Sequence, residues 1–338
     1  MSKRVTAKDV AKALGISTMT VSRALNNKPN VSEETRRKVR QTSRTIGYFP
    51  NHIAKSLVLR KTDTIGVVVP EITHSFFPEV VSGIEEICYK KGYHLILAHS
   101  AENANRETDV IYTLTSNQVD GLLISTAQTV EDFLVYQQII QRGLPLVFYD
   151  RCVKGIGASC VSIDDEECAS QITEHLIEHD YYPIAHISGP SRISIGISRQ
   201  NGFKKALKKH HLEVKDKLIV EAGLQEADGY QAMQRIFELP RGEWPRAVVA
   251  VNDPAAFGAM NAIYERNLKI PDDIAIVGFS DDIRAELMPT PLTTIRQNAY
   301  EVGKRAVEKL IAVINNDSDN NEEIIVTGEL IIRKSCGC

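Results

Sequence analysis

Val5-Thr-Ala-Lys-Asp-Val-Ala-Lys-Ala-Leu-Gly-Ile-Ser-Thr-Met-Thr-Val-Ser-Arg-Ala-Leu-Asn26 carries the clearest local pattern in the chain. Thr6 and Asp9 have the spacing of a capping box, with Thr6 as N-cap and Asp9 reaching back. Val10, Ala11 and Leu14 then recur at helical spacing and form one apolar face. Gly15 stops the helix. Ser17 caps a second helix in which Val21, Ala24 and Leu25 face inward. Only a few residues around Gly15-Ile16 separate the two, which is a helix-turn-helix layout. A third helix is predicted from Ser32 through Val39 to about Ile46, with Arg36, Arg37, Lys38, Arg40 and Arg44 on its outer face.

Charge follows the same division. Residues 1–61 carry 14 Lys/Arg against Asp9, Glu33 and Glu34, a balance of +11, while the remainder of the 338-residue chain balances at −14. A basic head on an acidic body implies that only the head meets a polyanion. The second helix of a helix-turn-helix enters the major groove by its N-terminal part. Thr18, Met19 and Arg23 are therefore the base-edge candidates, with Arg23 suited to a guanine and Met19 to a thymine methyl. Ser17, Thr20 and Ser22 carry short hydroxyls suited to phosphate contact.

From Thr64 onward the pattern changes to strands alternating with helices. Strands are predicted near 64–69, 94–98, 121–125, 144–149, 184–188, 247–251 and 275–279, which is a doubly wound α/β rhythm. Thr64–Pro70 with its helix is echoed by Pro183–Pro190 with its helix, so two similar lobes should flank a cleft at the carboxyl ends of their sheets. Residues that follow strands are the cleft candidates: Phe76, Phe77, Asp150, Arg151, Arg199, Asn252, Asp253, Ser280, Asp281 and Asp282. Acids, amides and an arginine beside aromatics suit a polyhydroxylated ligand. Asp253 is expected to cap the helix that follows it.

The opening stretch, together with Gly47-Tyr-Phe-Pro-Asn51 and Ala54-Lys-Ser-Leu57, resembles the LacI/GalR family of transcriptional regulators, and the resemblance spans essentially the whole chain. It implies a helix-turn-helix domain at 1–50 and a hinge helix and linker at 51–61. Residues 62–338 would form a two-lobed core like a type I periplasmic binding protein. Three crossovers, near Ser162–Asp164, Pro289–Thr293 and Ile324–Val326, would give one lobe 62–162 and 293–324 and the other 163–292 and 325–338. Asn51 would cap the hinge helix, and Leu57 would match the wedge levered into a base step from the minor groove. Phe76, Asp150, Arg199, Asn252 and Asp281 match the family's effector contacts. Partners would be a pseudo-palindromic operator, a second copy of the chain and a small effector, most simply a sugar or sugar derivative, with no cofactor. Ser280 stands where many sugar-responsive members have Asp. Ile193 and Ile195 stand where the purine-responsive member is polar, which argues against a purine.

Other readings weigh less. His175-Leu-Ile-Glu-His179 has a metalloprotease spacing, but it is expected to be an ordinary solvated helix with no third ligand in reach. Cys336-Gly-Cys338 reads as a free tail. The six scattered cysteines suggest no disulfide framework. No apolar run reaches the roughly 18 residues of a membrane span, and no signal core opens the chain, so a cytoplasmic protein is expected. Only Ser-Cys-Gly-Cys follows Lys334, so no tetramerising coil is expected. Neither a P-loop nor a G-x-S-x-G elbow occurs, and an enzyme is not expected. A transport solute-binding protein would leave the basic head without a purpose.

Overall fold

The computed structural model describes residues 5–48 and 61–338, and the chain divides into two units, 1–62 and 63–338. The first unit is three helices: α1 (Ala7–Leu14), α2 (Thr18–Leu25) and α3 (Glu33–Ile46). The Asp9 carboxylate accepts from both the N–H and the hydroxyl of Thr6 at 2.8 and 2.7 Å, which fixes the start of α1. Gly15 ends it in the left-handed region at φ +64°, a conformation that costs glycine little. Val10, Val21, Ala24 and Val39 close a small core with Leu14, Ile16 and Leu25 packed around it. Part of the basic face of α3 is structural: Arg36 donates to the Lys28 carbonyl at 2.9 Å and Arg40 to Asn27 Oδ1 at 2.6 Å, which pins the loop after α2.

The second unit begins with β1 (Thr64–Val69), α4 (Phe76–Lys91), β2 (His94–His99), α5 (Ala104–Ser116), β3 (Gly121–Ile124), α6 (Leu134–Gln141), β4 (Leu146–Tyr149) and β5 (Ser159–Ile163). It continues through α7 (Asp165–Glu178), β6 (Ile184–Ser188), α8 (Ser194–Lys209), β7 (Ile219–Glu221), α9 (Glu226–Phe237), β8 (Ala247–Ala250), α10 (Asp253–Glu265) and β9 (Ala275–Val277). The last elements are β10 (Thr294–Arg296), α11 (Ala299–Ile314), β11 (Glu323–Val326) and β12 (Glu329–Ile331). One sheet runs β11-β5-β4-β3-β1-β2 and another β7-β6-β8-β9, both parallel throughout. Their central strands are buried on both faces, which is why the sequence shows continuous apolar runs there rather than alternation.

The chain passes between the lobes three times. The first passage lies between β5 and α7. The second and third form a ribbon of their own, β10 antiparallel to β12. The third falls later than the sequence pattern suggests: Ile325 and Val326 pair with Ser162 and Ile163 in the first sheet, so β11 belongs wholly to lobe one.

Two cysteine expectations are corrected. Cys152 and Cys160 form a disulfide, their Cα atoms 5.8 Å apart, because the loop from β4 returns beside it as β5. The segment from Arg333 to Cys338 is docked, with Cys336 buried, through Lys334 and Ser335 N–H groups that donate to the Pro291 carbonyl.

Helix pairs pack through glycine. A Cβ at Gly83 of α4 would stand 2.1 Å from the Tyr300 carbonyl oxygen of α11, and one at Gly258 of α10 would stand 1.8 Å from that of Glu226 in α9. The obstacles are backbone and cannot rotate away. Gly83→Ala and Gly258→Ala should each destabilise the body by about 1–3 kcal/mol through overpacking, read as a lower denaturant midpoint at unchanged slope. An unchanged midpoint would show that these helices do not need their close approach.

Candidate functional site

Two separate surfaces have the chemistry of a regulator, one on each unit. On the head, the Ser17 hydroxyl accepts the Thr20 N–H at 3.0 Å and shares a hydrogen bond with the Thr20 hydroxyl at 2.9 Å. This cap exposes the first turn of α2. Thr18, Met19, Ser22 and Arg23 all point to solvent, and Met19 is 61% exposed although it is apolar. Arg23 has no ion-pair partner among those of the described residues. An apolar side chain and a free guanidinium on one exposed helix face have the reach and chemistry of base-edge readers. Asn51 and Leu57 lie outside the described residues.

On the body, a cleft opens where the carboxyl ends of the two sheets face each other. Phe76, Asp150, Arg199 and Asn252 come together in it, with Glu71, His74, Phe77, Glu102, Arg151, Ile195, Gln225, Ser280 and Gln297. Phe76 and Phe77 meet edge to face, with ring centroids 5.1 Å apart. Asp150 sits at φ +58° just past β4, so its carboxylate turns inward, where Gln297 Nε2 donates to it at 3.3 Å. Burial raises the Asp150 carboxyl to about 6, against the opposing pull of Arg151 and Arg199.

Both arginines are already engaged. Arg199, only 2% exposed, donates through Nε and Nη2 to Asp165 Oδ1 at 2.7 Å and through Nη1 to the Val251 carbonyl at 2.6 Å. Its guanidinium carbon lies 3.7 Å from the Phe279 ring centroid. It stands in the second turn of α8 and is as much a strut of lobe two as a wall of the cleft. Arg151 donates to both oxygens of Glu102 at 2.9 Å and stands 3.7 Å from Asp150. With the two guanidinium charges answered by protein carboxylates, the cleft offers carboxylates, amides and rings to a ligand.

Asp281 is a correction. It receives Arg296 at 2.8 Å and Arg333 at 2.7 Å and lines a different cavity, of about 570 Å³, beside the β10–β12 ribbon. Ser280, just past β9, lines both spaces, whereas its neighbour Asp281, at φ +54°, lines only the one beside the ribbon. The helix cap is corrected as well. Asn252, not Asp253, caps α10, its Oδ1 accepting from the Ala255 N–H at 2.9 Å while its Nδ2 donates to the Leu224 carbonyl. Asp253 is fully buried beneath the crossing, where Thr294 Oγ1 and the Asp282 N–H donate to it at 2.6 and 2.7 Å. Burial raises it to about 7 despite those two donors.

The mouth is held shut by a latch that the sequence pattern did not reveal. His74 Nε2 meets Gln225 Oε1 at 3.1 Å, and the Ser75 N–H donates to Asp282 at 3.3 Å. In return, the Ile283 N–H donates to Ser75 Oγ at 3.2 Å, and Arg284 reaches His74 Nδ1 at 3.1 Å. The space left inside is about 40 Å³, far below the roughly 300 Å³ at which ligand sites begin. The lobes stand drawn together.

Comparison with known proteins finds matches to both units. The family model for bacterial regulatory proteins of the lacI family matches residues 6–51. That for periplasmic binding proteins and the sugar binding domain of the LacI family matches 62–334. The chain is 33% identical to the HTH-type transcriptional repressor PurR of Histophilus somni (strain 2336) over 98% of each protein. It is 30% identical to the probable HTH-type transcriptional repressor ExuR of Bacillus subtilis (strain 168), again over 98% of each. The lac repressor dimer bound to operator and the anti-inducer ONPF superposes with a TM-score of 0.87 at 25% identity, covering 99% of each chain. The transcriptional regulator CelR–cellobiose complex gives 0.76 at 26%, over 98% of this chain and 100% of that one. The chain belongs to the LacI family of DNA-binding transcriptional regulators, which are not enzymes.

Proposed function

We propose that this chain is a cytoplasmic, homodimeric repressor of a pseudo-palindromic operator, released from or held on DNA by a sugar or sugar derivative bound between its lobes. The observation that carries the reading is the cleft itself, with Phe76 for a sugar face and Asp150, Asn252 and Gln297 for hydroxyls. Ile195 in the wall offers a purine no hydrogen bond. Dimerisation follows from the head, since one helix-turn-helix reads one half-site. Ser17, Thr20 and Ser22 hold phosphates, Thr18, Met19 and Arg23 read bases, and Asn51 and Leu57 serve the hinge. The effector works by binding the latched and unlatched states of the lobes with different affinity; equal affinity would shift nothing.

A thermal-shift screen of the full chain against neutral sugars, sugar acids, sugar phosphates and purines tests the ligand class. Sugars or their derivatives should raise the body's transition, and a response to purines alone overturns the reading. If the ionised Asp150 accepts a ligand hydroxyl, affinity should fall as pH drops through about 6, approaching tenfold per pH unit well below it. Asp150→Asn should bind more weakly and lose that slope. Calorimetry between pH 5.5 and 7.5, as a rough window around that value, reads both.

Arg23→Ala should weaken specific operator binding by about 1–3 kcal/mol and leave binding to random DNA nearly intact. Equal loss on both DNAs would make Arg23 a phosphate contact. Leu57→Ala should leave effector affinity of the free protein unchanged and shrink the factor by which effector and operator alter each other's affinity, the same factor in both directions. Full coupling retained in this variant, measured by effector titration with and without operator, would remove the wedge from the mechanism.

A further inference from the structure

Two sequence features that the regulator reading leaves unused, the 175–179 histidine spacing and Cys336-Gly-Cys338, come together in space. His175 of α7 is buried rather than solvated. Its Nε2 lies 3.3 Å from Cys336 Sγ and 3.4 Å from Cys338 Sγ, and the two sulfurs are 3.3 Å apart. The donors form a nearly equilateral triangle drawn from two distant parts of the chain. No other group of three such donors with metal-holding proximity occurs among the described residues.

A tetrahedral zinc ion bonds thiolate sulfur at about 2.3 Å and imidazole nitrogen at about 2.0–2.1 Å, which sets its ligand atoms roughly 3.5–3.8 Å apart. The triangle is within a few tenths of an ångström of that spacing, and an ion seated about 1 Å above its plane would reach all three donors. The backbone is arranged for it. Gly337, at φ +83°, turns the chain so that the thiols on either side of it converge, and a Cβ there would stand 2.7 Å from the Tyr181 hydroxyl. The ligands are also held independently of any ion. The Thr293 N–H donates to Ser335 Oγ at 2.8 Å, Ser335 Oγ donates to the Ile276 carbonyl at 2.5 Å, and Thr293 Oγ1 donates to Cys336 Sγ at 3.1 Å. Cys338 is exposed and gives an ion a route from solvent.

We propose that His175, Cys336 and Cys338 form a binding site for a thiophilic divalent cation of the zinc class, with its fourth position open to water. Two sulfurs and a nitrogen, with no carboxylate, select such a cation over magnesium or calcium. The bound ion would staple the segment after β12 onto α7. Thr293, which touches the site, leads directly into β10 of the inter-lobe ribbon, so the ion would stiffen the body where the chain passes between lobes.

The test uses the full chain, reduced and stripped of metal, titrated with zinc against a chromophoric chelator and separately with cobalt. One equivalent of zinc should bind and raise the unfolding temperature. Cobalt should show thiolate-to-metal charge-transfer absorption. Cys336→Ser, Cys338→Ser and His175→Ala should each weaken zinc binding by about 100-fold or more, ligand loss exceeding the 10–100-fold typical of groups behind the ligands. Cys338→Ser is the decisive variant, because that residue is exposed and its replacement leaves the packing of the fold in place. No zinc uptake by the reduced chain overturns the proposal, as does uptake unchanged in Cys338→Ser. Loss of two thiols beyond those of Cys152 and Cys160 on mild oxidation, abolished in Cys338→Ser and without any zinc uptake, overturns it too and would mark Cys336 and Cys338 as a redox pair.

Discussion

The Arg199 guanidinium is taken out of water beneath the cleft, and much of the body is arranged around it. A buried charge is tolerated only when it is paired and its hydrogen bonds are filled. Asp165 supplies the charge, the Val251 carbonyl accepts a further N–H, and Phe279 offers its ring face. These partners sit at the start of α7 and at the ends of β8 and β9. One side chain on α8 therefore ties together the first inter-lobe passage and two strand ends of lobe two. Removing it would leave Asp165 buried and unpaired, a loss of about 3–5 kcal/mol. A ligand that touches Arg199 touches a strut of lobe two.

The remaining passages combine apolar packing, through Ile295 and Leu330, with buried polar contacts. Asp253 accepts from Thr294 and Asp282, and Asp281 accepts from Arg296 and Arg333. Directional contacts of this kind have discrete alternatives, whereas packed apolar side chains resist being parted. The latch of His74, Ser75, Gln225, Asp282 and Arg284 is built from the same kind of contact and meets the crossing at Asp282, whose N–H donates to Asp253. Within each lobe glycine lets helices touch, and between lobes apolar packing is joined by hydrogen bonds that can be exchanged. That division is what a two-state element requires.

Much of this was legible in the sequence because it depends on local spacing. The three head helices and their caps followed from Thr6, Ser17 and Ser32, and the strands around 64–69, 121–124, 184–188 and 247–250 followed from apolar runs. What escaped depends on register or on distant pairing. Ser280 reaches the cleft and its neighbour Asp281 does not, a difference of register that spacing alone does not contain. The cap of α10 moved from Asp253 to Asn252 for the same reason, since either can cap a helix and only the end of β8 decides which. His175 looked solvated because its neighbours in space, Cys336 and Cys338, lie about 160 residues away in sequence. The Cys152–Cys160 bond likewise needs the adjacency of β4 and β5, which composition does not contain.

The charge division constrains how the two units can work together. A head of +11 would be drawn to any polyanion, and a body of −14 is repelled by the same one. At low salt the net charge of the body opposes approach to DNA. On the proposed mechanism a change in the lobes acts on the head through residues 51–61, the covalent path between them. This gives the polar crossings their importance. A signal carried by charge would weaken with salt within a Debye length of about 8 Å at physiological ionic strength. A hydrogen bond between fully buried groups, such as that from Thr294 to Asp253, is screened far less.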